Sequence, residues 1–337
     1  MIKFKINILC CFLLLTVFTA CTYKKEKVYK KSKIMMDTVI TISVVSQSKE
    51  HAGNAIDTAF SEIERLEALF DFFSPDSEIS RINNNAGITR VKVSPDTIYV
   101  LDKAFFVSEK TGGAFDVTIG PLLVLYDFKE GVTPERGIIK ERLPLVNYKS
   151  LSIDKKDSTV FLNKEGMLID LGGISKGFAA DKAVDALKRE GIVSGIVAVA
   201  GDIRAFGLKP NKKPWKIGIR NPRSEHQEDI IAAIDLKDMA ISTSGDYERY
   251  FIVNGERYHH LISPMTGSPV HSCQSVSIIA EEGVLADAFA TGVFILGPKK
   301  GLQIIEKMGF EGLIIDKEGN IHVTSDIREK IELKRAP

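Results

Sequence analysis

The pattern of this chain predicts an α+β fold, with mixed or antiparallel sheets, packed helices and an active site in a cleft between two sub-domains. Windows from Ala52 to Phe73 and from Ser94 to Val107 carry apolar residues at spacings of three and four, while short runs such as Ile196-Val197-Ala198-Val199-Ala200 read as buried strands. The strands cluster without regular alternation with helices, so the chain is not a succession of βαβ units, and no fixed-period repeat is visible. With 337 residues, 44% hydrophobic and 26% charged, it can bury a large core in one or two domains. A formal net charge of +1 makes no case for nucleic acid or for an acidic partner, so function has to come from local sites.

The N-terminus reads as an export signal over residues 1–20. Lys3 and Lys5 precede the apolar run Ile8 to Phe18, which is too short to span a bilayer comfortably, and the small residues Thr19 and Ala20 precede Cys21. A signal that ends at a cysteine resembles a bacterial lipobox, although Phe18 stands where leucine is usual. Lipidation at Cys21 would anchor the protein to a membrane of the cell envelope, facing the periplasm or the exterior; the alternative is an ordinary signal peptide cut nearby. Cys10 and Cys11 fall inside the signal, and a lipidated Cys21 would leave Cys273 without a disulfide partner. Residues 21–33 are lysine-rich without apolar periodicity and are expected to be a flexible tether before a domain at 34–330.

Met35 to Val45 suits a first strand. A helix follows from Ala52 to Phe73, stopped by Ser74-Pro75. Ser77 to Asn83 is a short capped helix, and Ser94-Pro95 opens a second long one that Thr111-Gly112-Gly113 ends. Tyr126 to Val146 has no sustained period and reads as irregular with a short helix. Leu151 to Ile153, Val160 to Leu162 and Met167 to Asp170 are strands leading into a glycine turn, and helical spacing resumes from Ala179 to Leu187. Strands are expected at Ile196–Ala200, Ile203–Phe206, Trp215–Ile219 and Ile230–Leu236, then a hydroxyl-rich bend at Ala240–Tyr247. Further strands at Arg249–Val253, Tyr258–Ile262 and Ser275–Ala280 precede helices at Leu285–Leu296 and Pro298–Met308. A hairpin of Gly312–Ile315 with Ile321–Thr324 closes the chain.

Four features could carry chemistry. In Asp170-Leu171-Gly172-Gly173-Ile174-Ser175-Lys176-Gly177, glycines allow close backbone approach to a ligand, the helix that follows presents unpaired N–H groups, and Lys176 adds a positive charge. The plain alternative is a tight turn with a surface lysine. Asp287 and Thr291 lie four apart on one helix face, a hard-oxygen pair that suits Mg²⁺ or, as is more common for such a pair alone, a capping or packing pair. His260, beside Tyr258 and the Ser263-Pro264 turn, is the best candidate for a general base, and no Cys/His cluster has zinc spacing. Asp116 reads either as a cap or turn residue or as an acceptor for a ligand amide or hydroxyl.

Together these residues resemble a known family. Phe73-Ser74-Pro75-Asp76-Ser77-Glu78-Ile79-Ser80-Arg81-Ile82-Asn83, Thr111-Gly112-Gly113-Ala114-Phe115-Asp116, Asp170 to Asp181, Gly201-Asp202-Ile203-Arg204, Ser242 to Tyr247, His260 to Gly267 and Ala286 to Thr291 are similar to successive motifs of the FAD:protein FMN transferases, the ApbE-like flavin-trafficking lipoproteins. The resemblance is collinear over roughly residues 34–325. It implies Mg²⁺-dependent transfer of the FMN moiety of FAD, through a phosphodiester, to a threonine or serine of an exported acceptor protein, such as a subunit of a membrane redox complex, with AMP leaving. It also implies that Met36, Phe73, Ala114, Phe115, Asp116, Asp170, Lys176, His260, Leu261 and Ile262 hold FAD. The Gly173 carbonyl, Asp287, the Ala290 carbonyl and Thr291 would hold Mg²⁺, and His260 with Lys176 would act in catalysis. The chain departs from the family pattern at Asp37, where Met-Gly-Thr is common, and at Ser263, where aspartate is common. An FAD pyrophosphatase giving FMN and AMP, or a flavin-binding carrier without turnover, would use the same residues.

Overall fold

The structure, a computed structural model, describes residues 25–226, 228–253 and 255–334; the signal segment at 1–20 and Cys21 lie outside the described residues. The chain opens with a hairpin of β1 (Lys27–Met35) and β2 (Thr38–Ser46), in antiparallel register from Lys27↔Ser46 to Met35↔Thr38. This corrects the expected tether: residues 27–33 are strand. Lysines that suggested a solvated linker decorate an outer strand, where they discourage pairing with other chains, while the backbone satisfies its polar groups against β2. The strand expected to start at Met35 starts at Thr38, because Met36 and Asp37 form the two-residue turn. Both have positive φ (50° and 57°), as a type I′ hairpin turn requires.

After β2, α1 (Lys49–Phe70) is capped by Ser48, whose hydroxyl accepts the His51 N–H at 3.2 Å. It ends three residues before the expected stop, and the Asp71 carboxylate accepts the Phe73 N–H at 2.8 Å to turn the chain. Next come α2 (Glu78–Asn84), β3 (Val91–Lys92), α3 (Pro95–Lys110), α4 (Gly120–Leu123), α5 (Arg136–Arg142), β4 (Leu151–Asp154) and β5 (Thr159–Leu162). Met167 to Asp170 is no strand. It makes one parallel bridge, Ile119↔Leu168, and a 2.8 Å bond from the Asp170 N–H to the Val117 carbonyl.

Then follow α6 (Ser175–Arg189), β6 (Gly195–Val199), β7 (Asp202–Phe206), β8 (Trp215–Arg220), β9 (Ile230–Leu236), β10 (Ala240–Gly245), β11 (Tyr250–Val253), β12 (Glu256–His259), β13 (Cys273–Ala280), α7 (Gly283–Leu296), α8 (Pro298–Lys307), β14 (Glu311–Asp316), β15 (Ile321–Val323) and β16 (Ile331–Leu333). The expected hydroxyl-rich bend at 240–247 is mostly the central strand β10. Its hydroxyls find partners across the sheet, as where Thr243 pairs with Ser277 with the two oxygens 2.8 Å apart.

The main sheet has the order β1-β2-β6-β7-β10-β13-β14-β15 and is antiparallel throughout. One face of it packs on α1, α6 and α7, burying Ile40, Ile42, Val44, Val197, Val276 and Ile278 against Phe60, Ala183 and Phe289. Its other face packs on the small sheet β16-β9-β8, where Val45, Ile241, Ile279 and Ile315 meet Trp215, Ile217 and Ile234. Covered on both faces, β13 is buried at every position. The α+β class holds, and among the described residues no helix is long and apolar enough to cross a membrane.

Candidate active site

The site is built where the N-termini of α6 and α7 meet the ends of β7 and β10. Before α6, Asn83 clamps the backbone of Ile169, donating to its carbonyl at 3.0 Å and accepting its N–H at 2.7 Å. Asp170 then accepts the Gly172 N–H at 2.8 Å and shapes the turn. Burial raises the Asp170 carboxyl above the usual range, against the pull of that N–H and of the positive Arg249 and Lys176.

No side chain of its own caps α6. The carboxylate of Asp287, on α7, accepts the Gly177 N–H at 2.9 Å and does that work from the other helix. The arrangement is reciprocal: Asp181 of α6 accepts the Gly283 and Val284 N–H groups of α7 at 2.8 and 2.9 Å. Two glycines permit it. A Cβ on Gly177 would sit 2.1 Å from the Gly283 carbonyl oxygen, and one on Gly283 would sit 2.6 Å from the Gly177 carbonyl oxygen. Asp287 is therefore a capping residue, as the plain reading allowed, and it also lies in the cluster that the functional reading required.

The residues expected to hold a metal converge, although more than a hundred residues separate the turn from α7. A Cβ added to Gly173 would lie 3.2 Å from Thr291 Oγ1, so the turn is in contact with Thr291. Thr291 Oγ1 is 3.2 Å from Ser244 Oγ of β10, and Ala290, fully buried, precedes it on α7. Asp287 is 3% exposed, and burial with repulsion from Asp202 raises its carboxyl well above the ordinary value. Among the described residues no three His, Cys, Asp or Glu side chains gather for a metal. The Asp287 carboxylate and the Thr291 hydroxyl, four residues apart on α7, are hard-oxygen donors at a buried negative charge, and this chemistry fits a hard cation that keeps water or phosphate in its remaining positions.

Lys176 is not a free surface lysine. Its Nζ lies 3.5 Å from Asp202 and 3.4 Å from the Gly172 carbonyl. Burial works against its charge, but the attraction of Asp202 and Asp287 outweighs burial and holds the ammonium above its ordinary pKa. Asp202 is buried and accepts the Ser242 hydroxyl.

The two adjacent histidines divide. His259 is buried, with Nε2 2.7 Å from the Val270 carbonyl and Nδ1 facing the Leu261 N–H at 3.2 Å, and burial pushes it down to about 4. His260 is only partly covered, and its Nδ1 is 3.3 Å from the Arg249 carbonyl, which leaves Nε2 as the free ring nitrogen. Burial, followed by the positive Arg249 and Lys176, pushes it down to about 3. Leu261 and Ile262, 5% and 3% exposed, are core residues that anchor this segment.

Other predicted residues are placed differently. The Asp116 carboxylate accepts the Thr118 N–H and hydroxyl at 2.8 and 2.7 Å and the Tyr148 N–H at 2.9 Å, so it organises its own loop. Ala114 is fully buried, and Phe115 packs within 3.3 Å of a Cβ position on Gly173. Phe73 is 87% exposed, edge-on to Phe72 at 5.1 Å. Met36 sits in the β1–β2 turn, its N–H on Glu67 at 2.6 Å. No hydrogen bond or ring contact among the described residues ties Met36 or Phe73 to the Lys176 cluster. Sequence reasoning missed Asp202, Ser242, Ser244 and Arg249 as site residues. The Gly201-Asp202 pair was the available signal for the first; Arg249 gave none, since a charge at a strand start looks like any solvated residue. A cavity of about 490 Å³ lined by His271, Lys299, Asp316 and His322 shares no residue with this cluster.

The FAD:protein FMN transferase of Treponema pallidum is 31% identical over 325 residues, covering 90% of this chain and 89% of that protein. The crystal structure of the ApbE protein from Thermotoga maritima superposes with a TM-score of 0.84 at 34% identity, over 90% of this chain and 99% of that one. That of the Pseudomonas stutzeri flavinyl transferase ApbE, apo form, gives 0.79 at 29% identity, over 90% and 97%. The sequence model of the ApbE family matches residues 36–314, and the chain belongs to that family.

Proposed function

We propose that this protein transfers the FMN moiety of FAD to a hydroxyl of an acceptor protein and releases AMP. Its relatives' names support the activity, and the observation that carries the reading is the convergence of the Gly172-Gly173 turn with Lys176 and Thr291 and of Asp287 with the start of the helix that carries Lys176. In the proposed reaction the acceptor oxygen attacks the phosphorus on the FMN side of the diphosphate, the bond to the AMP phosphate breaks, and AMP leaves with the electron pair. His260 Nε2 takes the hydroxyl proton; Lys176 faces the negative charge that develops on the diphosphate. The Gly173 and Ala290 carbonyls, Asp287 and Thr291 would hold Mg²⁺, which would neutralise phosphate charge. Phe73, an exposed aromatic, is available to stack on a planar ring.

The finer assignments belong to the same proposal. The acceptor residue is a threonine or serine of an exported protein, and lipidation at Cys21 anchors the enzyme to an envelope membrane, facing the periplasm or exterior. Replacing Cys21 by serine should move the protein from the membrane to the soluble fraction; an unchanged distribution would remove the anchor.

The decisive measurement is AMP release from FAD against Mg²⁺ concentration, with product masses, for wild type, Asp287→Asn and Thr291→Val. Asp287→Asn keeps an oxygen for the Gly177 N–H, so the α6 cap survives while the charge is lost. It should abolish Mg²⁺-dependent cleavage, and Thr291→Val should be milder because water can replace a neutral ligand. Full activity of Asp287→Asn at low Mg²⁺ would sink the metal assignment. Free FMN as the only product would point to a pyrophosphatase, and intact FAD to a carrier.

A further inference from the structure

The two ends of the main sheet differ in charge. At one end lies the candidate site, where Asp202 begins β7 and Lys176, 3.5 Å away, lies at the start of α6. The registers Lys27↔Ser46, Val44↔Gly195 and Gly195↔Phe206 gather at the other end the start of β1, the end of β2, the start of β6 and the end of β7. Helix α6 runs from the first end to the second, where Lys188 lies over the Phe206 ring at 5.6 Å. The first turn of α1 joins it there, with His51 Nε2 2.6 Å from the Glu190 carbonyl. The loop after β7 is tied to the same place: Val45 donates to the Ser194 carbonyl at 2.9 Å, Ser194 donates to the Leu208 carbonyl at 2.7 Å, and Gly207 donates to Asp238 at 3.0 Å. The segments that meet here, 25–30, 47–50, 188–194, 207–214 and 237–238, carry ten lysines and arginines against four acids. The whole chain has a net charge of only +1, so the excess is local to this end. Lys27, Lys30, Lys49, Lys212 and Lys213 are exposed, whereas Lys31 turns to α1 and is held on Asp57 at 2.7 Å. Val28 and Val193, 45% and 75% exposed, lie at the same end.

We propose that this basic end is a docking surface for an anionic phospholipid bilayer and that it holds the active site away from the membrane. Charge and the entry of the chain together choose the occupant. Lys27 is six residues beyond Cys21, a reach of at most about 20 Å, so an anchor at Cys21 keeps this end close to the headgroups. A plane of phosphates attracts lysines from several segments without a shaped pocket, and Val28 and Val193 suit the boundary between headgroups and acyl chains. Lys176 and Lys188 are about 18 Å apart along α6 at 1.5 Å per residue, which leaves the site on the aqueous side where an acceptor protein arrives. The inference rests on the lipid anchor for this orientation. Each lysine close to such a surface is worth about fivefold in affinity, and the attraction fades within a Debye length of about 8 Å at physiological salt. Only the lysines nearest the bilayer feel it, so salt releases the domain when no anchor holds it, and the anchor restores contact by raising its effective concentration.

The test is flotation of the chain from residue 22 onward, which holds every described residue and no lipid, on vesicles of phosphatidylcholine alone or with about one third phosphatidylglycerol. It should float with the anionic vesicles at low salt, stay behind with phosphatidylcholine alone, and be released at about 0.3 M salt. Lys27→Glu with Lys213→Glu reverses one charge on β1 and one on the loop after β7, and should weaken binding by about tenfold or more. Lys299→Glu with Lys317→Glu makes the same change in net charge beside Asp316, at the other end of the sheet where Cys273 pairs with Asp316, and should leave binding unchanged. No flotation on anionic vesicles, or equal losses from the two pairs, overturns the surface. Binding of polyglutamate through Lys27 and Lys213 without binding to vesicles would make this a face for an acidic protein and overturns the lipid assignment. AMP release from FAD should be as fast on the vesicles as in solution, and a loss on the vesicles overturns the outward orientation of the site. Flotation needs neither turnover nor the anchor, so its failure is distinct from a chain inert toward FAD in solution and from an unchanged membrane fraction of Cys21→Ser.

Discussion

His259 and His260 are neighbours in the chain with opposite duties. His259 has both ring nitrogens engaged by backbone, while His260 fixes one nitrogen on the Arg249 carbonyl and keeps Nε2 free. As general base, His260 should be worth roughly 10²–10⁴-fold, so His260→Asn should cut FMN transfer by that factor at saturating FAD. Loss of FAD affinity with unchanged turnover would instead mark it as a positioning residue. Because burial, Arg249 and Lys176 keep His260 neutral down to about pH 3 in the free enzyme, the acid limb of kcat/KM should show no His260 inflection near 6.5. Asp37 is a second residue whose surroundings explain it. At φ +57° it occupies a left-handed turn position; Asp37→Gly should be tolerated, and Asp37→Val should cost about 1–2 kcal/mol of stability, read in a urea melt as a lower midpoint at unchanged slope.

At the scale of elements, α6 and α7 cap each other and touch through Gly177 and Gly283. This one crossing positions both halves of the site, since Lys176 precedes Gly177 and Asp287 follows Gly283 by four residues. Gly177→Ala should therefore cost about 1–3 kcal/mol through overpacking and also lose Mg²⁺-dependent AMP release. A variant with wild-type activity and stability would show that the helices can separate without harm. The β14–β15 hairpin carries a different device. Burial opposes the Asp316 charge, but hydrogen bonds from His322 and Asn320 outweigh it and hold the carboxyl down at about 2. A folded pKa below the unfolded one gives stability that is complete above about 4 and lost as pH falls toward 2. Urea melts of wild type and Asp316→Asn should converge across that window.

The whole molecule is a central antiparallel sheet between helices and a small second sheet, with the site at one end of the helical layer. His259 lies in that interior against Phe294, and burial holds its pKa near 4, below the unfolded value. Its contribution to stability is full above about pH 6.5 and lost as pH falls to 4, because the unfolded chain takes up a proton that the native one resists. The melting temperature of wild type should fall more between pH 7.5 and 5 than that of His259→Gln. Equal slopes would assign the acid sensitivity to other groups.

Much of this protein was legible in the sequence by itself. Helical periodicity located α1, α3, α6, α7 and α8, because an amphipathic stripe must face a core whatever that core is. The glycine turn was legible as a turn and Asp287 as a capping residue, since both are local devices; that Lys176 and Thr291 belong to one cluster with them was suggested only by the order of motifs along the chain. Tertiary structure decided the rest. Whether a lysine-rich segment is a tether or an edge strand depends on a neighbouring strand with backbone groups to share, and whether a hydroxyl run is a bend or β10 depends on the hydroxyls opposite it. The same holds inside the site. Asp116 turned inward to its own loop and Asp202 to Lys176, because a carboxylate's partner is set by which elements pack against it, and pairing over long sequence separation leaves no mark on the local pattern.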